Sequence, residues 1–223
     1  MRERALFDAD AIRGIGRRTA FIRRVDRSTL VLGSTQDAGI VDMAAVAARG
    51  VELARRRSGG GAVLVQPDRA VWVDTWVPRD DPLWNDDVAQ SGAWVGRWWA
   101  ESLGTADLEV HGGPPIRSQW SDLICFAGVA AGEVRHRGRK VVGVAQWRGR
   151  EGSMCHSLAY LGVDWADLTE LLDLGDERAA ATRDLEATTA VASELVRVDR
   201  AALVSNLIER LPDPDSWTIE GRE

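Results

Sequence analysis

The chain has 223 residues, 45% of them apolar and 28% charged, with a formal net charge of −6. These proportions belong to a soluble globular protein with enough chain for one large core, and they exclude general disorder. The acidic balance excludes a nucleic-acid-coating surface, and no apolar run approaches the roughly 20 residues of a membrane span.

Taken in chain order, a short charged segment precedes two strand-like runs at 19–23 and 29–33. Asp42 is placed to cap a helix over 43–49, which Gly50 closes. A strand over 51–56 meets the break Arg57-Ser58-Gly59-Gly60-Gly61, and β character resumes at 62–65 and 70–77. No helix follows those glycines, so the break is neither a Walker loop nor a Rossmann crossover. Pro82 then opens the longest helical pattern, 83–103, stopped by Gly104. Trp84, Val88, Val95 and Trp98 recur along it at helical spacing and read as a core-facing stripe.

Further on, 108–110 reads as a short strand followed by a loop at 112–115. Segments 123–126, 133–135, 140–147 and 154–161 read as a β meander. Asp164 caps a helix through 172, 176–182 extends helically, and 199–211 forms the last helix. The tail after Pro212 is polar and is expected to fray. Strands mixed with a few helices, without regular βαβ alternation, predict an α+β domain. The whole chain, 1–223, is expected to be one catalytic domain with a tail at about 212–223 and no separate accessory C-terminal domain.

Two cysteines make no disulfide scaffold, four-ligand zinc spacing is absent, and Met1-Arg2-Glu3-Arg4 lacks the apolar stretch of a secretory signal. A cytoplasmic, reduced protein with no metal site is the expectation. Among 28 basic side chains only Lys140 is a lysine. Residues with A/T-rich codons are depleted throughout, which points to a high-GC genome. Codon drift accounts for the arginines, yet it does not choose which lysine survives. A compact, titratable ammonium is one thing a planar guanidinium cannot replace.

Three segments concentrate chemistry. Arg55-Arg56-Arg57-Ser58-Gly59-Gly60-Gly61-Ala62-Val63 reads either as an anion cradle of backbone N–H groups and guanidinium donors or as a tight turn with a solvated arginine cluster. Cys125, between Ile124 and Phe126, is either a small buried hydrophobe or a thiolate supported by a nearby cation, a part Lys140 could fill. Lys140 lies in Gly138-Arg139-Lys140-Val141-Val142-Gly143-Val144-Ala145-Gln146, a turn entering a strand. Cys155 and His156 are adjacent on a strand, so they face opposite ways and form no dyad. His111 and His136 read as loop or surface residues.

Together these motifs resemble the lipoate–protein ligase A and octanoyltransferase family. The Arg55–Val63 loop resembles its signature loop, Gly138–Gln146 resembles its Gly-x-Lys segment, and His156 matches a histidine ten residues beyond the glutamine. The resemblance covers about Phe21 to Leu211. It implies an α+β fold related to biotin protein ligases, with a mixed, largely antiparallel sheet and flanking helices. The Cys125-Phe126 pair, thirteen residues before Gly138, resembles the nucleophile segment of the Gram-positive-type, ligase-like octanoyltransferases.

By that resemblance, Cys125 and Lys140 are the catalytic residues. Arg56, Ser58, Gly59, Gly60, Gly61, Ala62, Gly138, Gly143, Ala145 and His156 bind the acyl group or cofactor. The implied activity moves an octanoyl or lipoyl group onto a lysine of a lipoyl-acceptor domain, either a 2-oxoacid dehydrogenase E2 or a glycine cleavage H protein. The transferase would use octanoyl-acyl carrier protein and no cofactor. The alternative is a ligase using free lipoate, ATP and Mg²⁺, and a second alternative is a non-catalytic acyl- or carrier-binding protein. A Gly-Arg-Gly-Arg loop of the biotin ligase type is absent, and a monomer is expected. The chain departs from the family at Val65-Gln66, where His-Asp is usual, and at Ser157, where Gly is usual. The customary N-terminal helical segment is rewritten in residues 1–18.

Overall fold

A computed structural model describes residues 4–5, 14–197 and 199–221. The rewritten N-terminal segment therefore falls largely outside the described residues. Eleven strands are described, and they form two sheets. The larger sheet has seven strands: β2 (Thr19–Arg23), β6 (Ala70–Pro78), β7 (Leu108–Val110), β8 (Val134–His136), β9 (Arg139–Arg148), β10 (Gly152–Tyr160) and β11 (Thr218–Glu220). Their spatial order is β11-β2-β6-β10-β9-β8-β7, and all the pairings are antiparallel except β11 with β2. The smaller sheet joins β1 (Arg4–Ala5), β4 (Glu52–Arg55), β3 (Thr29–Leu32) and β5 (Val63–Val65) in that order. The expected mixed, largely antiparallel α+β architecture is what the chain forms.

Period-two alternation along the central strands feeds two cores. On β10, Leu158 and Tyr160 join a cluster with Leu30, Trp72, Phe126, Trp165 and Leu172 between the two sheets. Cys155 and Ala159 point the other way, into a tryptophan-rich cluster under α3 (Ala93–Leu103) and α7 (Arg200–Glu209). At roughly 25 cal/mol per Å² of apolar surface removed from water, these two clusters are the main stabilising term of the fold.

Three local expectations change. The helix expected over 83–103 is two helices, α2 (Val88–Ser91) and α3, preceded by turns. The side chains of Asp81, Asn85 and Asp87 accept the N–H groups of Leu83, Asp87 and Ala89, and this local bonding displaces helix before residue 88. The core stripe is consequently Trp94, Val95, Trp98 and Trp99, whereas Val88 is exposed and Trp84 lies beneath the Arg148 guanidinium, 4.1 Å from its ring centroid.

The strand expected at 123–126 is a single bridge from Ile124 to Ala62, after which Cys125–Ala127 turns as a 3₁₀ helix. The tail, over its described residues 212–221, is ordered. Trp217 is buried against Trp94, its indole N–H donates to the Pro212 carbonyl at 2.8 Å, and β11 runs parallel to β2. One large apolar ring outweighs the polarity of its neighbours there.

The remaining elements follow their signals. Asp42 caps α1 (Met43–Ala48), accepting from Ala45 N at 2.9 Å, and Asp164 caps α4 (Trp165–Thr169). Helix α5 (Arg178–Thr188) extends further than its sequence pattern indicates. A short α6 (Ala192–Leu195) precedes α7, the expected last helix, which Asp199 caps.

Candidate active site

The Gly-rich loop between β4 and β5 is folded around Arg56. This side chain is only 4% exposed. Its Nε donates to Ser58 Oγ at 3.1 Å, and its Nη2 donates to the Gly59 and Gly61 carbonyls, each at 2.8 Å. Burial pushes the guanidinium below its usual range, while Cys125, Tyr160 and Glu133 act in the opposite sense. The other two arginines go elsewhere: Arg55 donates to the Gly33 and Gln36 carbonyls, and Arg57 lies 4.7 Å from the Trp147 ring centroid. The loop is therefore not a solvated arginine cluster.

Cys125 is carried onto this loop by backbone bonds. Ala62 N donates to the Leu123 carbonyl at 2.7 Å, and Cys125 N donates to the Ala62 carbonyl at 3.0 Å. Gly61 is required at the crossing, because a Cβ there would sit 2.5 to 2.6 Å from backbone atoms of Ile124 and Cys125.

The Lys140 ammonium, 1% exposed, comes up from β9 beneath the same turn. It donates to the Cys125 carbonyl at 2.8 Å and the Gly128 carbonyl at 2.9 Å, and it meets Glu133 Oε2 at 2.7 Å. Glu133 also accepts Ala130 N at 2.8 Å and Val144 N at 3.1 Å. The ammonium is thus held by two carbonyls and a carboxylate, and the Cys125 atom that Lys140 reaches is the carbonyl oxygen. Its charge lies over Phe126, 5.0 Å from the ring centroid.

Cys125 itself is half-buried and borders two spaces. One is an open cleft of about 820 Å³ walled by Gly59–Gly61, Val88, the loop 112–116, Val129–Ala131 and Val144–Gln146. The other is a recess of about 20 Å³ between Arg56, Trp72, Phe126, Gly143, Ala145 and His156. A half-buried cysteine, a large apolar cleft and two fixed cations make an arrangement suited to nucleophilic chemistry on an acyl group.

Residues 3–211 match the lipoyl protein ligase A/B catalytic domain. The chain belongs to that family. It is 29% identical over 217 residues to an octanoyltransferase LipM of Kyrpidia tusciae, a match covering 89% of this chain and 78% of the relative. Its fold is similar to that of a bipartite lipoate protein ligase from Thermoplasma acidophilum, with a TM-score of 0.70, 17% identity, and 92% and 74% of the two chains covered. It is similar also to a lipoate-protein ligase A solved with ATP, with a TM-score of 0.68, 18% identity, and 100% and 88% covered. The protein is accordingly an enzyme of the lipoyl ligase and octanoyltransferase class.

Within this lipoyl ligase domain, the anticipated positions divide by location. Gly59, Gly60, Gly61, Cys125, Lys140 and Ala145 converge on the cleft, and Arg56, Gly143 and His156 line the recess with Cys125 and Ala145. Ser58 and Ala62 are buried behind the loop, as its supports. Gly138 forms the β8–β9 hairpin tip with Arg137, both at positive φ, and lines neither space.

His156 does not share a face with Cys155, as the strand alternation requires. Its Nδ1 lies 2.7 Å from Asp74 Oδ1, which also accepts the Trp72 indole N–H at 2.6 Å. Arg23 Nε donates to Asp74 Oδ2 at 2.7 Å. Burial pushes the Asp74 carboxyl up, but His156 and Arg23 outweigh it and hold it below the usual carboxylate range. Cys155 lies wholly buried in the tryptophan-rich core, where its thiol is pushed up to about 12 by burial.

His111 lies in the loop after β7, as expected, whereas Glu133 and Asp74 were not singled out by the sequence. His111 is buried, with Nε2 2.8 Å from the Pro114 carbonyl, and so shapes the loop along the cleft. Glu133 carried a weak signal as the lone acid between Asp122 and Glu151. Asp74 carried a clearer one, standing inside Ala70–Pro78, a run otherwise of β-branched, aromatic and small residues. A charge in a buried strand calls for a partner.

Proposed function

We propose that this enzyme moves an octanoyl group from acyl carrier protein onto a lysine of a lipoyl-acceptor domain through a thioester on Cys125. The acceptor would be a 2-oxoacid dehydrogenase E2 or a glycine cleavage H protein. The observation that carries this reading is the position of Cys125, half-exposed where the open cleft meets the recess, whereas Cys155 is sealed in the core. An octanoyltransferase relative supports the same direction.

In the first half-reaction the thiol proton passes to solvent and Cys125 Sγ attacks the donor carbonyl carbon. The new C–S bond forms, the bond to the carrier's pantetheine sulfur breaks, and that thiolate takes up a proton. In the second, the neutral amine of the acceptor lysine attacks the acyl carbon. The amide forms, the C–Sγ bond breaks, and the amine's proton leaves, regenerating the cysteine. Lys140 serves by holding the Cys125 and Gly128 carbonyls, which fixes the turn that presents the sulfur.

The ligase alternative draws on a fold neighbour that was solved with ATP. The residues here fit an adenylate poorly. Glu133 neutralises Lys140 and occupies one of its protons, leaving the charge little available to a phosphate.

Intact-mass measurement tests the reading. Incubation with octanoyl carrier protein is expected to add one octanoyl group to Cys125, none to Cys155, and none to Cys125→Ser. Full transfer by Cys125→Ser would reject the covalent route, and a lipoyl-adenylate formed from lipoate and ATP would favour the ligase.

A further inference from the structure

Arg56 has one donor to spare. Its Nε and Nη2 are committed to Ser58, Gly59 and Gly61, but Nη1 is buried and has no hydrogen-bond partner among the described residues. An unmet donor on a buried guanidinium is costly, and its persistence calls for a ligand. Arg56 and Cys125 line the same recess. Lys140, the other nearby cation, is already held by two carbonyls and a carboxylate.

We propose that Arg56 Nη1 donates the hydrogen bond that receives the acyl oxygen when Cys125 is acylated and deacylated. The inference rests on the thioester reading above and assigns its charge-stabilising group. As Sγ bonds to the donor carbon, the carbonyl π pair moves onto oxygen and makes an oxyanion. That charge is met by a guanidinium already fixed by the Gly-rich loop. The pair returns to the C–O bond as the pantetheine sulfur leaves. The same oxygen becomes an oxyanion again when the acceptor amine attacks, and it reverts when Sγ leaves. A donor held in place by three other hydrogen bonds needs no reorganisation at either step, the condition under which such donors are most effective. The electrostatic influence of Cys125 on Arg56 agrees with their proximity. Arg56 thereby has two duties: Nε and Nη2 shape the loop, and Nη1 faces the reacting group.

The test measures two rates on the full chain, thioester formation from octanoyl carrier protein and alkylation of Cys125 by iodoacetamide. In Arg56→Lys and Arg56→Gln, thioester formation is expected to fall about 10²- to 10³-fold, the usual effect of losing one oxyanion donor, with alkylation unchanged. Thioester formation at the wild-type rate would overturn the proposal, as would an equal fall in alkylation, which would mark a purely structural role.

Should neither variant fold, the wild-type protein decides. A crystal structure of Cys125 carrying an octyl trifluoromethyl ketone adduct is expected to show its oxygen within hydrogen-bond distance of Arg56 Nη1. An oxygen bonded instead to Lys140 or to backbone N–H groups alone would overturn the assignment. Absence of any thioester on the wild-type enzyme is a separate result, and it would reject the covalent reading itself.

Discussion

Glu133 and Lys140 form an ion pair of 2.7 Å whose side chains are 4% and 1% exposed, and this pair closes the turn that carries Cys125. Three elements meet in it: the Cys125–Ala127 turn, the chain leading into β8, and β9 itself. Removing one member of such a pair leaves a buried charge, at a cost of about 3–5 kcal/mol. Glu133→Ala is therefore expected to lower the thermal midpoint sharply. The double variant Glu133→Gln/Lys140→Met is expected to be more stable than Lys140→Met alone, since no charge is then stranded. A double-mutant cycle of thermal or urea unfolding checks this. Additive losses would show that the pair is not coupled.

The buried Asp74 carboxylate is held below its usual range despite its burial, by His156 and Arg23. A depressed carboxyl contributes stability above its unfolded value, about 3.9, and loses that contribution as pH falls through the lower folded value. Asp74→Asn is thus expected to be less stable than wild type at pH 7, with the gap narrowing progressively below about pH 4. Urea unfolding at several pH values measures it. A gap independent of pH would place the cost in packing.

Gly61 lies where the loop and the Cys125 turn cross with no room for a side chain. Gly61→Ala must move backbone, so it is expected to cost about 1–3 kcal/mol and to slow acylation of Cys125. Gly59→Ala has open space within 4 Å and ordinary φ, and it serves as the tolerated control. Equal behaviour of the two variants in unfolding and intact-mass assays would contradict the crossing geometry.

Trp217 fastens the chain after α7 to the molecule. Trp217→Ala removes its contact with Trp94 and its bond to the Pro212 carbonyl. The expected loss is about 3 kcal/mol, together with faster proteolysis beyond residue 211. A thermal midpoint close to that of wild type would mean that this ring contributes little.

Local signals made much of the fold legible. Caps at Asp42 and Asp164 and the alternation along β9 and β10 act over a few residues, and the structure follows them. The lone lysine and the glycine run lie on stretches of chain that line the same cleft.

Partner choice was not legible. Asp74 faces His156, 82 residues away, because the β6–β10 register sets them opposite each other. Lys140 pairs with Glu133 and with the Cys125 and Gly128 carbonyls, because an ammonium buried under that turn needs polar partners for its donors. Helix was lost before residue 88 to side-chain acceptors, and the tail was ordered by Trp217, Arg18 and the pairing of β11 with β2. Sequence by itself determined which residues could form strands, turns and a reactive segment, since those properties are local. Only the tertiary structure decided which charge meets which, since burial makes every polar group find a partner wherever strand register and packing bring one.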